Sequence, residues 1–563
     1  AAQPQSAAAL KAQALAAAQG ALPEAEGLSG PGRAELIGRL MEAALDAGTA
    51  PSPALDTAEA KLASAAGEVP DEASYAQAMA GRLALARGDA GQARALLGRA
   101  VYLESQRAEP LRQSTWLLWL AEADPARRRE LVTEAYRALE AVRPLLPLVD
   151  PLTEEPTFTL RMQPVFEQAV DVELRDTEAG GEAARIARAQ AVVEAYRQAE
   201  VQSALGADCV PPREPVKPAE LRSDEVLLYP ILLPDRVELI YARGSAGGAG
   251  AYHRLSAARG ADRETVVQLA KALVDSASGE EGDAWKAPAR QLYQLLIKPI
   301  EGQLSTGGTL VIIPDGVLRS VPFAALTDDN GKFLIERTAV SVAPALSYSQ
   351  PGTDRTKRPL SVVAASLQKE VSLPAGDFPK LEGTAEEAKI AVDVGGAGAR
   401  SRLIQDFHKA DLQAALAGGH VDVLHVATHA AFNGRSDRSF VVANDEAISL
   451  TDLRGLISSD RARGDELSLL VLSACETAVG DDQASMGLAG AAVQAGAQSA
   501  LASLWEVSDT GTVELMKGFY AGYRSGLGKA AALRQAQLKM IAAGGGLEHP
   551  GVWAAFTVLG GWR

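Results

Sequence analysis

Cysteine is nearly absent from this 563-residue chain: only Cys209 and Cys475 occur. No disulfide framework can therefore hold the fold, and a thiol this scarce is either an incidental core residue or chemistry. Aromatic residues are sparse as well, at 5%. No apolar stretch approaches the roughly 20 residues that a membrane-spanning helix needs; apolar runs such as 309–313 and 467–472 have the length of strands. Basic charge is in deficit, with 55 Lys and Arg against 71 Asp and Glu, for a net charge of −16. Nonspecific nucleic-acid binding needs clustered cations that displace counterions. Arg127, Arg128 and Arg129 read better as the solvated face of a helix. Neither a membrane span nor a nucleic-acid partner is expected. What remains is ordinary for a soluble globular protein: 47% hydrophobic and 22% charged residues, in a length that accommodates two to four domains. The opening Ala-Ala-Gln-Pro-Gln-Ser fits the end left by a signal peptidase, which would place the chain in the periplasm. It fits a shortened cytoplasmic chain equally well.

Residues 7–205 are rich in Ala, Leu, Arg and Glu at helical apolar spacing. Within them, 75–104 matches a tetratricopeptide-like repeat. Gly81 stands at the small position of the first helix, and Ala93, Leu97 and Ala100 follow at the expected offsets, with Gly88-Asp89 as the turn. Segments 35–65 and 114–143 read as more degenerate helix pairs, and a plain alanine-rich bundle would produce some of the same coincidences. A long helix over 182–205 leads to Cys209 and the proline-rich break at 210–215, which sets a boundary at 205. Beyond it the texture turns to strands. Residues 226–233 and 237–242 flank a Pro234-Asp235 turn and predict an antiparallel pair. The glycine-rich run 244–250 is a flexible tip, because no Lys-Ser/Thr and no helix follow it. Short apolar runs at 309–313, 360–365, 421–427, 467–472 and 499–504 alternate with helices. That pattern predicts an α/β unit with a mostly parallel sheet covered on both faces.

In such sheets chemistry sits beyond the C-terminal ends of the strands. One predicted strand delivers His429 at its end and another delivers Cys475. If the two strands are neighbours, both side chains leave the same sheet edge. A thiol and an imidazole there form a nucleophile and base pair. A lone buried cysteine is more often a small hydrophobe, so the weight lies in the joint placement. His425 and His429 do not make a metal site: four strand residues span roughly 13 Å, too far for one ion. His425 is expected to be a packed core residue. Neither a metal nor another cofactor is expected.

The sequence around these residues resembles CHAT domains, the caspase-like modules often preceded by tetratricopeptide repeats. His-Val-Ala-Thr-His at 425–429 and Leu-Ser-Ala-Cys-Glu-Thr at 472–477 look like the family's paired signatures. Ile-Pro-Asp-Gly at 313–316, Trp-Glu-Val-Ser-Asp at 505–509 and Trp-Ala-Ala-Phe at 553–556 extend the similarity over roughly 205–563. The resemblance implies three segments: tetratricopeptide-like helices over 1–205, an N-terminal part of the CHAT region over 206–355, and a caspase-like catalytic part over 356–563. It implies that Cys475 attacks the scissile carbonyl while His429 transfers protons. The oxyanion would be held by the backbone N–H groups of Cys475 and Ala430. The family usually has glycine where Ala430 stands, so an added methyl either crowds a substrate or restricts φ. Ser473 would line the substrate pocket but is too small and neutral to select a charge, and Glu476 would either shape that pocket or merely pair with a nearby base. Asp509, in a segment similar to one in separases, would pair with a basic residue before the cleaved bond; it equally suits capping of the helix that follows. Cys209 is expected to be structural, Glu386 and Glu387 solvated, and Trp505 and Trp553 packing anchors.

The function implied is a cysteine endopeptidase acting on a protein or peptide, with helices that recognise a regulatory protein partner. The competing expectation is an inactive peptidase-like scaffold, which Ala430 favours and the retained Cys475 and His429 oppose. A nucleotide-binding sheet ranks last, for want of a glycine-rich strand-to-helix turn.

Overall fold

A computed structural model of the chain describes residues 16–17, 20, 33–46, 50–68, 72–107, 109–147, 157–175, 181–205, 212–245, 250–256, 261–279, 282–352, 359–395, 400–432, 439–461, 467–473, 476–477 and 496–563. The chain divides into two compact units, 1–177 and 178–563.

The first unit is helical: α1 (Arg33–Asp46), α2 (Pro53–Glu68), α3 (Ala73–Ala86), α4 (Ala90–Ser105), α5 (Pro110–Ala123), α6 (Arg128–Val142) and α7 (Gln163–Arg175). Helices α3 and α4 form the repeat-like pair that the sequence predicts. A Cβ built on Gly81 would come within 2.6 Å of Leu97 Cγ, so only glycine allows this approach. Ala93, Leu97 and Ala100 are fully buried against α3. Gly88 turns the chain with φ of 80°, and the Asp89 carboxylate accepts the Gln92 N–H at 2.9 Å to start α4.

The second unit opens with α8 (Glu182–Leu205) and is built on one large sheet. Its strands are β1 (Glu225–Leu233), β2 (Arg236–Arg243), β3 (Tyr252–Ser256), β4 (Thr309–Ile312), β5 (Ala339–Val342) and β6 (Val362–Ser366). A hairpin of β7 (Val371–Leu373) and β8 (Gly376–Phe378) follows, then β9 (Arg402–Gln405) and β10 (Val423–Ala427). The remaining strands are β11 (Ala430–Phe432), β12 (Phe440–Val442), β13 (Ala447–Ser449), β14 (Leu469–Ser473), β15 (Glu476–Thr477), β16 (Ser499–Ser503) and β17 (Phe556–Gly560). The 11-stranded order is β3-β2-β1-β4-β5-β17-β16-β14-β10-β6-β9. Pairing is parallel except at β1–β2, β2–β3 and β16–β17. Every residue of β6, β10, β14 and β16 is buried, as expected when helices cover both faces.

Two features depart from the predicted segmentation. Helix α8 lies in the second compact unit, not with the helices before residue 205. It is fastened there by buried polar contacts: Glu194 accepts from the Tyr229 hydroxyl (3.1 Å) and the Ser347 N–H (2.7 Å), and Arg197 pairs with Asp315 (2.8 Å). The sheet also runs unbroken across residues 355–356, because β17 is inserted between β5 and β16. The last strand in sequence thus joins the two halves.

Candidate active site

Strands β10 and β14 are parallel neighbours in the register His425↔Val471 and Ala427↔Ser473. The Thr428 N–H donates to the Ser473 carbonyl at 3.2 Å, just past the last paired residues. Beyond this point the chain enters a small sheet of order β13-β12-β11-β15, where Ala431 pairs with Glu476 and Phe432 with Thr477, again in parallel. His429 therefore stands at the junction of the large and small sheets. Cys475 and Cys209 lie outside the described residues, as does the side chain of Glu476.

His429 is half-buried. Its Nε2 lies 2.8 Å from the carbonyl oxygen of Pro379, and its ring is 5.6 Å from that of Phe378. A carbonyl can only accept, so Nε2 carries the proton and the neutral ring presents Nδ1 as its basic nitrogen. The hairpin β7–β8, which follows β6, brings Phe378 and Pro379 to this place. No sequence signal pointed to Pro379, because the group that acts is a backbone carbonyl.

Ala430 is buried and begins β11. The His429 carbonyl accepts the Val442 N–H from β12 at 2.8 Å. Since peptide groups alternate along a strand, the Ala430 N–H points to the other side, toward β15. The alanine takes an ordinary backbone conformation: Asp406 is the one described non-glycine residue with positive φ. The expected restriction of φ by its methyl group therefore does not arise. Ser473 is buried, and its Oγ has no hydrogen-bond partner among the described residues.

Three more helices of this unit are labelled α9 (Arg263–Ala277), α10 (Thr384–Asp393) and α11 (Asp509–Arg524), and Asp509 is the first residue of α11. The N-cap position belongs to Ser508, so Asp509 does not cap its own helix as expected. Its Oδ2 instead accepts two backbone N–H groups, from Glu382 and Gly383, each at 2.9 Å. These residues close the strap that runs from Pro379 into α10. A Cβ on Gly383 would meet the Asp509 Cβ at 3.0 Å, so glycine permits the latch.

Glu386 is exposed and pairs with Lys517 at 3.1 Å, but Glu387 corrects the expectation of a solvated carboxylate. It is 2% exposed, because α10 is packed between β6, β10 and α11. Its Oε1 lies 3.3 Å from Nε2 of His425, whose Nδ1 lies 2.8 Å from the Tyr520 hydroxyl. His425 is buried as predicted, though between two polar partners. Burial, followed by the charge of Glu387, pushes the Tyr520 hydroxyl well above the ordinary tyrosine range. Trp505 and Trp553 are fully buried, each donating Nε1–H to a backbone carbonyl at 2.9 Å, of Gly551 and Glu548 respectively. Among the described residues, no group of three or more His, Cys, Asp or Glu could hold a metal ion, and no helix is long and apolar enough to cross a membrane.

Residues 286–561 match the CHAT domain family. Among curated proteins, tetratricopeptide repeat protein 28 of Mus musculus is 28% identical over 338 residues, covering 49% of this chain and 13% of its own length. The Homo sapiens protein of the same name is 26% identical over 345 residues, with the same coverage. The chain thus spans 13% of the length of the curated relatives it matches. Among solved structures, the separase of the Saccharomyces cerevisiae separase–securin complex is similar at 9% identity and a TM-score of 0.40, covering 97% of this chain and 48% of that one. The Arg-specific cysteine proteinase gingipain R is similar at 13% identity and a TM-score of 0.30, covering 53% of this chain and 74% of that one. The similarity to CHAT domains thus lies over residues 286–561, in an α/β unit that follows a helical unit with a tetratricopeptide-like helix pair.

Proposed function

We propose that this chain is a cysteine endopeptidase in which Cys475 is the nucleophile and His429 its base. The observation that carries the reading is the His429 Nε2–H bond to the Pro379 carbonyl, which leaves Nδ1, without a hydrogen-bond partner among the described residues, for proton transfer. Residue 475 is one peptide bond, about 3.8 Å between Cα atoms, from Glu476. Glu476 faces Ala431, two residues beyond His429. In the first step Nδ1 takes the Sγ proton and the thiolate attacks the scissile carbonyl carbon. The N–H groups of Cys475 and Ala430 receive the oxyanion. The C–N bond then breaks, the leaving amine takes the proton from Nδ1, and water hydrolyses the thioester to free the thiol and an acid. Asp509 serves as the pocket carboxylate for a basic residue before the cut. The strap engages its Oδ2, and Oδ1, without a hydrogen bond among the described residues, remains for a guanidinium. Ser473 and Glu476 flank that pocket. The helices of the first unit bind a regulatory protein partner.

The second reading is a scaffold that no longer turns over, and Ala430 in place of the family's usual glycine favours it. New N-termini in a denatured lysate, mapped after adding the purified protein and Cys475→Ala in parallel, decide between the two. Cuts that vanish with the variant support the peptidase. Arg or Lys before those cuts supports Asp509, and any other residue there removes that role. Identical profiles with and without the thiol favour the scaffold.

A further inference from the structure

Three elements frame His429. Strand β10 leads into it, α10 follows the strap that carries Pro379, and α11 begins with the Asp509 that latches the strap. All three meet again deeper in the fold at His425, Glu387 and Tyr520, one from each element. His425 is fully buried, Tyr520 is 1% exposed and Glu387 2%. The surroundings are apolar: Ala388, Ala391, Leu515, Met516 and Phe519 are all 0% exposed. The Nδ1 of His425 is within hydrogen-bond distance of the Tyr520 hydroxyl. Its Nε2 approaches Glu387 Oε1 at ion-pair distance but off hydrogen-bond direction, since neither atom has a hydrogen-bond partner. Buried ionisable pairs rarely add stability over well-packed apolar residues, whereas they do fix register. An apolar trio would hold these helices together without defining how far each slides along β10.

We infer that Glu387, His425 and Tyr520 are positioning residues for His429, fixing α10 and α11 along β10 so that the Pro379 carbonyl meets Nε2. The inference rests on His429 being the base. The strap is short: Pro379 is held to His429 at one end, and Glu382 and Gly383 are held to Asp509 at the other. A shift of either helix is therefore passed to the carbonyl with little chain to absorb it. Once that bond is lost, the imidazole exchanges between tautomers, and Nδ1 is no longer the constant basic nitrogen.

The test uses the full chain labelled with ¹⁵N-histidine, with the His429 signals assigned by their loss in His429→Gln. The variants are Glu387→Gln and the milder Tyr520→Phe, each checked for a cooperative thermal transition. The expected result is a single Nε2–H tautomer at His429 in the parent and averaged tautomer shifts in the variants. Peptide cleavage should fall about 10- to 100-fold in kcat, with KM little changed, as for misplaced catalytic geometry. A single Nε2–H tautomer retained in both folded variants overturns the proposal. The tautomer readout needs no turnover. A parent that cleaves nothing counts against the peptidase reading, while the spectra still decide whether the three residues position His429.

Discussion

At Asp509, pocket and latch ask different things of one carboxylate, and two substitutions separate them. Asn keeps an oxygen that can accept the Glu382 and Gly383 N–H groups but loses the charge that would select a guanidinium. Ala loses both. Asp509→Asn is therefore expected to unfold within about 0.5–1.5 kcal/mol of the parent in denaturant, the range of a single net hydrogen bond. It should also lose any preference for Arg over a neutral residue before the cut. Asp509→Ala should be less stable than the Asn variant by about 0.5–1.5 kcal/mol, because both hydrogen bonds are lost while the exposed Glu382 N–H and half-buried Gly383 N–H turn to water, and its turnover should drop with every peptide. Equal stability of the Ala and Asn variants would show that the latch contributes nothing. The residues of this site were unequally visible in the sequence. His429 and Asp509 could be picked out because each ends or follows an apolar strand within a recognisable motif. Pro379 could not, since a carbonyl has no side-chain signature. Glu387 does carry a signal: Thr384, Glu387, Ala388 and Ala391 form one buried stripe at helical spacing.

At the scale of elements, continuous apolar runs revealed β1, β4, β6, β10, β14 and β16, and the Pro234-Asp235 turn revealed β2 as the antiparallel partner of β1. The others carry weaker patterns for physical reasons. β9 is an edge strand with an exposed Leu403, β5 is four residues long, and β17 takes its place only through partners far away in sequence. The opposite edge, β2–β3, is tied by charge. Glu238 on β2 is fully buried and pairs with Arg236 (2.6 Å) and with Arg254 of β3 (2.7 Å). Burial alone would raise its carboxyl; the hydrogen bonds and charges of the two arginines outweigh this and hold it below the ordinary value of 4.5. A carboxyl with a lowered folded-state value stabilises fully above its unfolded value, and the stabilisation disappears as the pH falls through the folded one. The melting temperature of the second unit should thus decline as the pH drops below about 4.5. Glu238→Gln should already melt lower at neutrality and lose less on acidification. Parallel pH profiles for the two proteins would remove Glu238 from the acid response.

Across the whole chain, the proline-rich segment marks a change of texture at 205, yet compactness divides the molecule between 177 and 178. The reason lies in what α8 covers. Ile186, Val192, Val193, Tyr196 and Val201 on this helix are buried, and the helix packs on β3 and on the turn Leu346–Tyr348 of the second unit. Each fully buried side chain of this kind contributes about 1.5–3 kcal/mol before the entropy of ordering is subtracted. Five of them are comparable with the 5–15 kcal/mol that typically separates a folded domain from its unfolded state. Removing α8 would also take Arg197 from Asp315, Glu194 from Tyr229, and Glu200 from the buried Arg319. Polar groups left unpaired in a core cost more than the pairs contribute. A chain starting at residue 178 should therefore show a cooperative thermal transition, and one starting at 206 should aggregate or melt without one. Similar transitions for both would mean that α8 only rests on the sheet, and that the change of texture at 205 is the true boundary after all.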